Sequence, residues 1–172
     1  MIIFHAPEKE RYADKNLAAQ PQIFLAGTIE MGESRDWQKL MAERLAEEPV
    51  TVFNPRRKVW NHSWNNSGLN VAPSLREQIE WELDHMEKAD LIALWLEEGS
   101  LSPVSLLELG LHLKEGKVIV GCPPGYRRAA NVYVTAARYG VQVFTDWDSF
   151  VGGVTQSLEK LPKFSQQNLP TI

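Results

Sequence analysis

The fold of this chain is indicated by residues 91–121, LIALWLEEGSLSPVSLLELGLHLKEGKVIVG, in which two continuous apolar runs flank a helical pattern. The runs at 91–96 and 118–121 do not alternate with polar residues, which is typical of strands buried on both faces. Between them, Ser102–Pro103 suits the cap and the first position of a helix, and Gly116 suits its end. This order predicts two parallel strands joined by a right-handed helical crossover.

The same alternation of strands and helices extends through most of the chain. Further buried strands are predicted at 23–27, 50–53 and 141–144. Helices are predicted after Ser34, from a Ser-x-x-Glu capping box at Ser74, over about 128–138 and near 147–161. The expected fold is therefore an α/β, flavodoxin-like doubly wound sheet of about five parallel strands with helices on both faces. Residues 1–172 are expected to form a single domain, in which 1–21 is an approach segment with a short strand-like stretch and 162–172 is a polar tail.

The composition excludes several classes of protein. Hydrophobic residues make up 44% of the chain and charged residues 23%, as in an ordinary soluble globular protein. The formal net charge of -4 argues against a general binder of nucleic acid or of anionic membranes. Cys122 is the only cysteine, so no disulfide framework is expected. The N-terminal residues lack the pattern of a signal peptide or membrane span, and a cytoplasmic location is expected.

Glu108 is the first residue that the helical pattern does not explain. Val104, Leu107 and Leu111 recur at helical spacing, and further leucines cover most of the remaining circumference, which predicts a helix buried on nearly all sides. A bare charge inside this stripe is costly, so the Glu108 carboxyl must be paired, protonated or open to a cavity. The helix alone leaves two interpretations of Glu108 open. It is either a structural carboxylate bound to a neighbouring Arg or Trp, or a functional carboxylate.

Glu82 repeats this anomaly on the preceding helix. The inner face of that helix is predicted to carry Leu75, Ile79, Leu83 and Met86, with Gln78 and Glu82 on the same side. The alternative is that Glu82 lies on the surface and the helix register is misjudged. If both glutamates are buried, their pKa values move apart, so that one carboxyl is ionised and the other carries a proton. Cleavage of a glycosyl bond requires this division of roles.

Other kinds of site are less compatible with the sequence. It contains neither the Gly-x-x-x-x-Gly-Lys-Ser/Thr loop nor a Gly-x-Gly-x-x-Gly motif after the first buried strand. Ser105 has no evident His partner for nucleophilic catalysis. The histidines do not have the spacing of metal ligands; they are His5, His62, His85 and His112. No cofactor or metal is therefore predicted.

The carboxyl ends of parallel strands define the expected ligand edge. By this rule the ligand edge contains Gly27–Thr28, residues 54–57, the segment before Pro103 and residues 121–128. Asp90 lies at the opposite end of its strand and is interpreted as structural. Near this edge, Trp60 and Trp64 are interleaved with Asn61, Asn65 and Asn66. These side chains could stack on and hydrogen-bond a planar base, or they could serve as packing in a lid.

Three segments resemble the nucleoside 2-deoxyribosyltransferase family and its deoxyribosyltransferase-like relatives. They are Ile23-Phe24-Leu25-Ala26-Gly27, Ala89-Asp90 at the start of a strand, and Ser105-Leu106-Leu107-Glu108-Leu109-Gly110. The resemblance extends over about residues 23–144, and Asn54-Pro55-Arg56-Arg57 is similar to the deoxyribosyltransferase-like subgroup. The Ser-x-x-Glu-x-Gly element is its most specific part.

The resemblance implies roles for individual residues. The resemblance places the nucleophile of the family at Glu108 and its second acidic residue at Glu82, where the family more often has Asp. It also places near Asn131 an Asn that the family supplies from a neighbouring subunit. The acidic residue that the family places shortly before the nucleophile helix is absent from Gly99-Ser100-Leu101-Ser102. Gly27 would allow close approach of the substrate, and Thr28, Ser102 and Ser105 could hydrogen-bond its sugar or base.

The function expected from this resemblance is transfer of 2-deoxyribose between nucleobases by double displacement. The expected partners are a small nucleoside or nucleotide, a free nucleobase and further copies of the chain, but no nucleic acid or membrane. An alternative is hydrolysis of a nucleoside 5′-monophosphate, in which arginines at the ligand edge hold the phosphate, although such arginines can equally be ordinary surface residues. Those arginines are Arg56, Arg57, Arg127 and Arg128, and Asn54 is counted with the first two as a candidate substrate-binding residue. A second alternative is a nucleotide-binding module without turnover.

Overall fold

The sheet in the computed structural model is all-parallel, as the sequence predicts. The structure describes residues 1–8, 19–57, 59–60 and 71–167. Within these residues the strands are β1 (Ile2–His5), β2 (Gln22–Gly27), β3 (Thr51–Asn54), β4 (Leu91–Trp95), β5 (Val118–Gly121) and β6 (Val143–Phe144). Their order across the sheet is β1-β3-β2-β4-β5-β6. The flavodoxin-like fold is confirmed, and β1 adds an edge strand beside β3 to the five expected strands.

The helices cover both faces of this sheet. They are α1 (Trp37–Arg44), α2 (Pro73–Lys88), α3 (Pro103–His112), α4 (Ala129–Arg138), α5 (Trp147–Glu159) and α6 (Pro162–Gln167), with short 3-10 turns at Glu30–Gly32 and Leu113–Glu115. Alternate side chains along each strand separate the core into two layers. One layer joins the sheet to α2, α3 and α4, and the other joins it to α1, α5 and α6. No helix in the described ranges is long and apolar enough to cross a membrane.

The predicted serine caps are wrong in detail. The cap of α1 is Asp36, not Ser34, and its carboxylate accepts the N–H three residues later at 3.0 Å. Helix α2 begins at Pro73, one residue before Ser74, without a side-chain cap. Ser102 does occupy the N-cap position of α3 but makes no capping bond, because its hydroxyl is hydrogen-bonded elsewhere. A short motif indicates that a helix starts, while competing partners decide which side chain caps it.

The predicted inner face of α2 is right only in part, and α3 is not buried on nearly all sides. The stripes formed by Ile79 and Leu83 on α2, and by Val104, Leu107 and Leu111 on α3, are between 39% and 64% exposed. The buried face of α2 keeps Gln78 and Met86 from the prediction and adds Trp81 and His85, while α3 buries Ser105, Glu108, Leu109 and His112. A helix that covers a sheet buries one stripe only, and here each helix has a second apolar stripe that points away from the sheet.

The strand order reverses between β2 and β4, which are directly paired in parallel. In doubly wound sheets this switch point opens a crevice at the carboxyl ends of the two strands. At the opposite end, Asp90 accepts a hydrogen bond from the Gln22 N–H at 2.9 Å and binds Lys163 of α6 at 2.9 Å. Asp90 therefore joins β2, β4 and α6, in agreement with its interpretation as structural.

Candidate active site

A cavity of about 580 Å³ lies at the switch point, between α2 and α3. Five of the predicted site residues line it: Gly27, Glu82, Ser102, Ser105 and Glu108. The rest of the wall is largely apolar and comes from α2, the start of α3, the loop after β2 and Trp60. The fold therefore brings both glutamate side chains to one cavity at the ligand edge.

Glu108 lies on the buried face of α3 and is 8% exposed. Burial is the main reason why the pKa of its carboxyl is raised well above its usual range, and the negative charge of Glu82 raises it further. Leu107 and Leu111, which flank Glu108 in the predicted stripe, point outward instead. Glu108 is therefore buried, as the sequence predicts, although the apolar stripe of Val104, Leu107 and Leu111 is exposed.

Glu82 is half-buried and lines the cavity from α2. Its Oε1 accepts a hydrogen bond of 2.7 Å from Nε2 of Gln78. Burial raises the pKa of Glu82 to about 7, while the Gln78 hydrogen bond and the positive charge of Arg57 oppose that rise. Because the negative charge of Glu82 raises the pKa of Glu108, Glu82 is the carboxyl that ionises first, and a single proton held by the pair lies mainly on Glu108.

A cluster of three hydroxyl groups reaches the cavity through Ser102. Thr28 Oγ1 is 2.6 Å from Ser102 Oγ and 3.2 Å from Ser100 Oγ, and the two serine oxygens are 2.9 Å apart. Thr28 also accepts the Glu97 N–H at 3.0 Å, and Ser100 donates to the Glu97 carbonyl at 2.8 Å. Of the three hydroxyl residues only Ser102 lines the cavity. Thr28 is therefore placed to orient Ser102, and not in the cavity wall where direct contact with a ligand was expected.

Strained backbone conformations occur in the cavity wall. Glu30, Met31 and Ser102 are non-glycine residues with positive φ angles of 46°, 56° and 40°, and all three line the cavity. Such conformations cost on the order of 1–3 kcal/mol each and cluster at functional sites. Glu30 Oε1 accepts the Leu101 N–H at 3.3 Å, which links the loop after β2 to the approach to α3.

Glu30 and Gln78 are the residues of this site whose role the sequence did not reveal. Glu30 places a carboxylate in the wall, although the loop before α3 lacks the acidic residue of the related family. No sequence signal marks Glu30, because its position depends on the turn after β2. Gln78 stands four residues before Glu82 on the same helical face, and this spacing is the signal that could have identified it.

Gly27 has a positive φ of 131°, and a Cβ atom here would lie 2.1 Å from the main-chain oxygen of Trp95. Gly27 lines the cavity, as the prediction of close substrate approach requires. The structure adds a second reason for glycine, which is the close approach of the paired strands β2 and β4.

Arg56 and Asn54 lie at the edge of a different cavity, of about 810 Å³. The Arg56 guanidinium donates to the carbonyl oxygens of Gly32 at 2.7 Å and Ser34 at 2.6 Å, and lies 3.7 Å from Asp36. Asn54 Oδ1 accepts the main-chain N–H of Arg56 at 2.9 Å. The bonds of the Arg56 guanidinium hold the loop between β2 and α1. Arg56, a predicted phosphate ligand, therefore has a structural role.

Of the other edge arginines, Arg57 lines the same 810 Å³ cavity as Arg56, whereas Arg127 and Arg128 do not. Arg57 binds the side-chain oxygen of Gln78 and the carbonyl of Ser74. Arg127 donates to the Gly99 carbonyl at 3.1 Å. Arg128 lines a third cavity, of about 350 Å³. The four arginines therefore do not converge on one position, although Arg56 and Arg57 share a cavity.

Asn131 is exposed on α4 and lines the same third cavity as Arg128. That cavity shares no lining residue with the space between Glu82 and Glu108. Within one chain, Asn131 thus lies outside the cavity that contains the two carboxylates.

Trp60 lies in the wall of both the 580 Å³ and the 810 Å³ cavity. Its indole also packs on Gly32, where a Cβ atom would come within 2.7 Å of the ring. The remaining members of the Trp- and Asn-rich segment lie outside the described residues; they are Asn61, Trp64, Asn65 and Asn66. His62 also lies outside them. Among the residues that the structure describes, no group of three His, Cys, Asp or Glu side chains is arranged to hold a metal ion.

The chain is similar to a known protein family and to solved structures. A family model described as nucleoside 2-deoxyribosyltransferase like matches residues 20–126, which is more than half of the chain. The solved structure of a 2-deoxyribosyltransferase from the psychrotolerant bacterium Bacillus psychrosaccharolyticus has a TM-score of 0.52 and 19% identity, covering 80% of this chain and 95% of its own. A crystal structure of a conserved protein from Enterococcus faecalis V583 has a TM-score of 0.46 and 12% identity, covering 87% of this chain and 99% of its own. The search of curated proteins gives no match.

Proposed function

The chain belongs to the nucleoside 2-deoxyribosyltransferase-like family, and we propose that it transfers 2-deoxyribose between nucleobases through a covalent intermediate on Glu108. The observation that carries this proposal is the pair of carboxyl groups, Glu82 and Glu108, in one cavity at the switch point of the sheet. Their raised pKa values support a shared proton, which double displacement at a glycosyl carbon requires.

Because the pKa of Glu108 is raised more than that of Glu82, the proposed first step begins with transfer of the proton of the pair from Glu108 to Glu82, which leaves Glu108 ionised. A carboxylate oxygen of Glu108 forms a bond to C1′ of the sugar as the bond from C1′ to the base nitrogen breaks. The electron pair of the broken bond stays on the base, which takes the proton of Glu82. In the second step a new base attacks C1′, displaces Glu108 and returns its own proton to Glu82.

The cavity wall supports transfer to a base as opposed to water. Much of the wall is apolar, with Ile29, Met31, Trp60, Leu75 and Leu101 among its residues. Such a wall favours a planar base and excludes water, which would otherwise hydrolyse the intermediate. Ser102 and Ser105 line the cavity and are candidates for hydrogen bonds to the sugar. Hydrolysis of a nucleotide receives less support, because Arg56 is already engaged by main-chain carbonyls.

The test is an assay of the purified protein with deoxynucleosides and a different free base, followed by chromatography. A new deoxynucleoside is the expected product. Parallel incubations without the acceptor base, and with deoxynucleoside 5′-monophosphates, distinguish the other functions. Release of free base from the monophosphates alone would identify a nucleotide hydrolase. Binding of nucleosides without turnover in any incubation would identify a binding module.

The exposed apolar stripes of α2 and α3 support the proposal of a homo-oligomer. They consist of Ile79, Leu83, Val104, Leu107 and Leu111, and we name them the outer apolar face. Ile79 and Val104 also line the cavity, so a protein that covers this face would also close the cavity. A second copy of the chain is the proposed occupant, because the related family completes its sites with a neighbouring subunit.

Leu107→Glu combined with Leu111→Glu is expected to convert an oligomer into a monomer and to reduce transfer at least about tenfold, because two charges would have to be buried in the contact. Light scattering and the transfer assay at the same protein concentration measure both effects. Gln156→Glu adds a charge to the exposed side of α5, which covers the other face of the sheet. This control should leave assembly and activity unchanged. A wild-type monomer that is fully active when dilute would refute shared sites.

A further inference from the structure

Gln78 is a buried amide that connects Arg57 to the cavity carboxyl of Glu82. We propose that Gln78, held by Arg57, is a positioning residue that fixes the Glu82 carboxyl so that Oε2 is the oxygen that carries the transferred proton; this role rests on the proposed function. Nothing in the family resemblance or in the comparisons assigns a role to Gln78. The inference follows from how its hydrogen bonds are distributed.

Every hydrogen-bonding position of this amide is used within the protein except one lone pair of its oxygen. Gln78 is only 2% exposed. Its Nε2 donates one proton to Glu82 Oε1 at 2.7 Å and the other to the Pro55 carbonyl at 2.9 Å. Its Oε1 accepts a hydrogen bond from Nε of Arg57. The side chain therefore has no remaining donor for a ligand.

These partners determine which way the amide points. If it were flipped, its oxygen would face the acceptor oxygens of Pro55 and Glu82, and its NH₂ group would face the Arg57 guanidinium, which only donates. Because Gln78 must donate to Glu82, Oε1 of Glu82 has to be the accepting oxygen. When Glu82 is protonated, its proton then lies on Oε2.

The amide also sets how strongly Arg57 acts on Glu82. A guanidinium bonded directly to a carboxylate would hold it ionised, because such charge-assisted bonds are strong. With Gln78 between them, Arg57 lowers the pKa of Glu82 only partly, against the opposing effect of burial. Glu82 can then both hold and release a proton near neutral pH, as a residue that protonates the departing base must do.

Among the described residues, the charged and titratable groups that face Glu82 come from three elements. Glu108 comes from α3, Glu30 from the loop after β2 and Arg57 from the segment after β3. The titration of Glu82 in a variant therefore has to be measured separately from that of Glu108. Carboxyl NMR of wild-type and variant proteins labelled with ¹³C at the glutamate carboxyls measures both. The Glu82 and Glu108 signals are assigned as those that disappear in Glu82→Gln and Glu108→Gln, respectively.

The test compares Gln78→Met with the wild type by carboxyl NMR titration and by the pH profile of transfer. Loss of the hydrogen bond to the ionised carboxylate is expected to raise the Glu82 titration midpoint by about one pH unit. The basic limb of the transfer profile should move to higher pH with it, since it reports loss of the Glu82 proton. Transfer at the optimum should fall about tenfold or more, because Glu82 becomes a weaker acid and is less well oriented.

Gln38→Met is the matched control. Gln38 is also a buried glutamine bound to an arginine, Arg56, but its amide donates to the Thr28 carbonyl and not to a cavity carboxyl. Its replacement should lower stability without moving the Glu82 titration. If Gln78→Met does not fold, Gln78→Glu keeps the shape and should raise the Glu82 midpoint further through like-charge repulsion.

An unchanged Glu82 midpoint in the Gln78 variants would overturn the inference. Failure of the proposed function has a different signature, which is a wild-type protein that transfers no sugar at any pH. In that case the NMR titration, which requires no turnover, decides alone whether Gln78 positions Glu82. An active wild type whose pH profile is the same in Gln78→Met would also overturn the inference.

Discussion

Glu108→Gln is expected to reduce deoxyribosyl transfer by on the order of 10⁴-fold while leaving a folded protein that is more stable than the wild type at pH 8. Glutamine keeps the shape of the side chain but cannot form the proposed covalent intermediate. Glu82, the other carboxyl of the cavity, would remain in place as a proton carrier. The loss should therefore fall on kcat.

The gain in stability follows from the direction of the Glu108 pKa shift. The pKa is raised in the folded protein, mainly by burial, so folding favours the protonated carboxyl. The associated stability is present below the pKa of the unfolded chain and is lost as the pH rises through the folded pKa. Glutamine has no proton to lose, so it avoids this loss. Urea unfolding at pH 5 and pH 8 should show the difference between variant and wild type growing with pH.

Glu115→Gln is the matched control for Glu108→Gln. Glu115 follows α3 in the 3-10 turn and bonds His112 and Lys117, each at 3.0 Å, which lowers its pKa. Its replacement should leave transfer intact and lower the free energy of unfolding at neutral pH, the opposite of both effects at Glu108. Trapping a substrate on the wild type should also place the sugar on the peptide that contains Glu108. A Glu108→Gln variant that keeps more than a small fraction of transfer would show that another residue is the nucleophile.

Gly27→Ala is expected to destabilise the protein by more than about 3 kcal/mol, or to prevent folding altogether. The added Cβ would lie 2.1 Å from the main-chain oxygen of Trp95, and the backbone φ of 131° disfavours any L-side chain. Neither strand can move away easily, because β2 and β4 are the paired central strands of the sheet. Thermal or urea unfolding monitored by circular dichroism measures the effect.

Gly110→Ala provides the comparison for Gly27→Ala. Gly110 is exposed in α3, and a Cβ atom there would meet no other atom within 4 Å. Alanine is a better helix former by about 1 kcal/mol, so Gly110→Ala should be as stable as the wild type or more so. If Gly27→Ala instead folded with wild-type stability and lost only substrate binding, then space for the substrate, and not strand packing, would explain this glycine.

The sequence by itself determined the sheet and its parallel direction. Continuous apolar runs such as 91–96 and 118–121 require strands that are buried on both faces. A helical pattern lies between these runs, and a parallel sheet with helices on both faces meets this requirement. This is a property of neighbouring residues along the chain, so it can be recognised without long-range information. The family resemblance, confirmed by the match over residues 20–126, rests on the same local segments.

The sequence also singled out Glu82 and Glu108, because a carboxylate within an apolar pattern is visible in one dimension. It could not determine which stripe of α2 and α3 is buried. Each helix has two apolar stripes, and helical periodicity says which residues share a face but not what that face contacts. The sheet decided this by burying Gln78 and Glu108 and leaving Ile79 and Leu107 outside.

Only the tertiary structure decided the partners of the polar side chains. Arg56 resembles a phosphate ligand in sequence but binds the loop between β2 and α1, and Thr28 lies behind Ser102 instead of in the cavity wall. Gln78 acquires its orientation from Arg57, which lies 21 positions away along the chain. Hydrogen bonds of this kind form between segments that are distant in the sequence and close in the fold. Local sequence patterns therefore do not predict them.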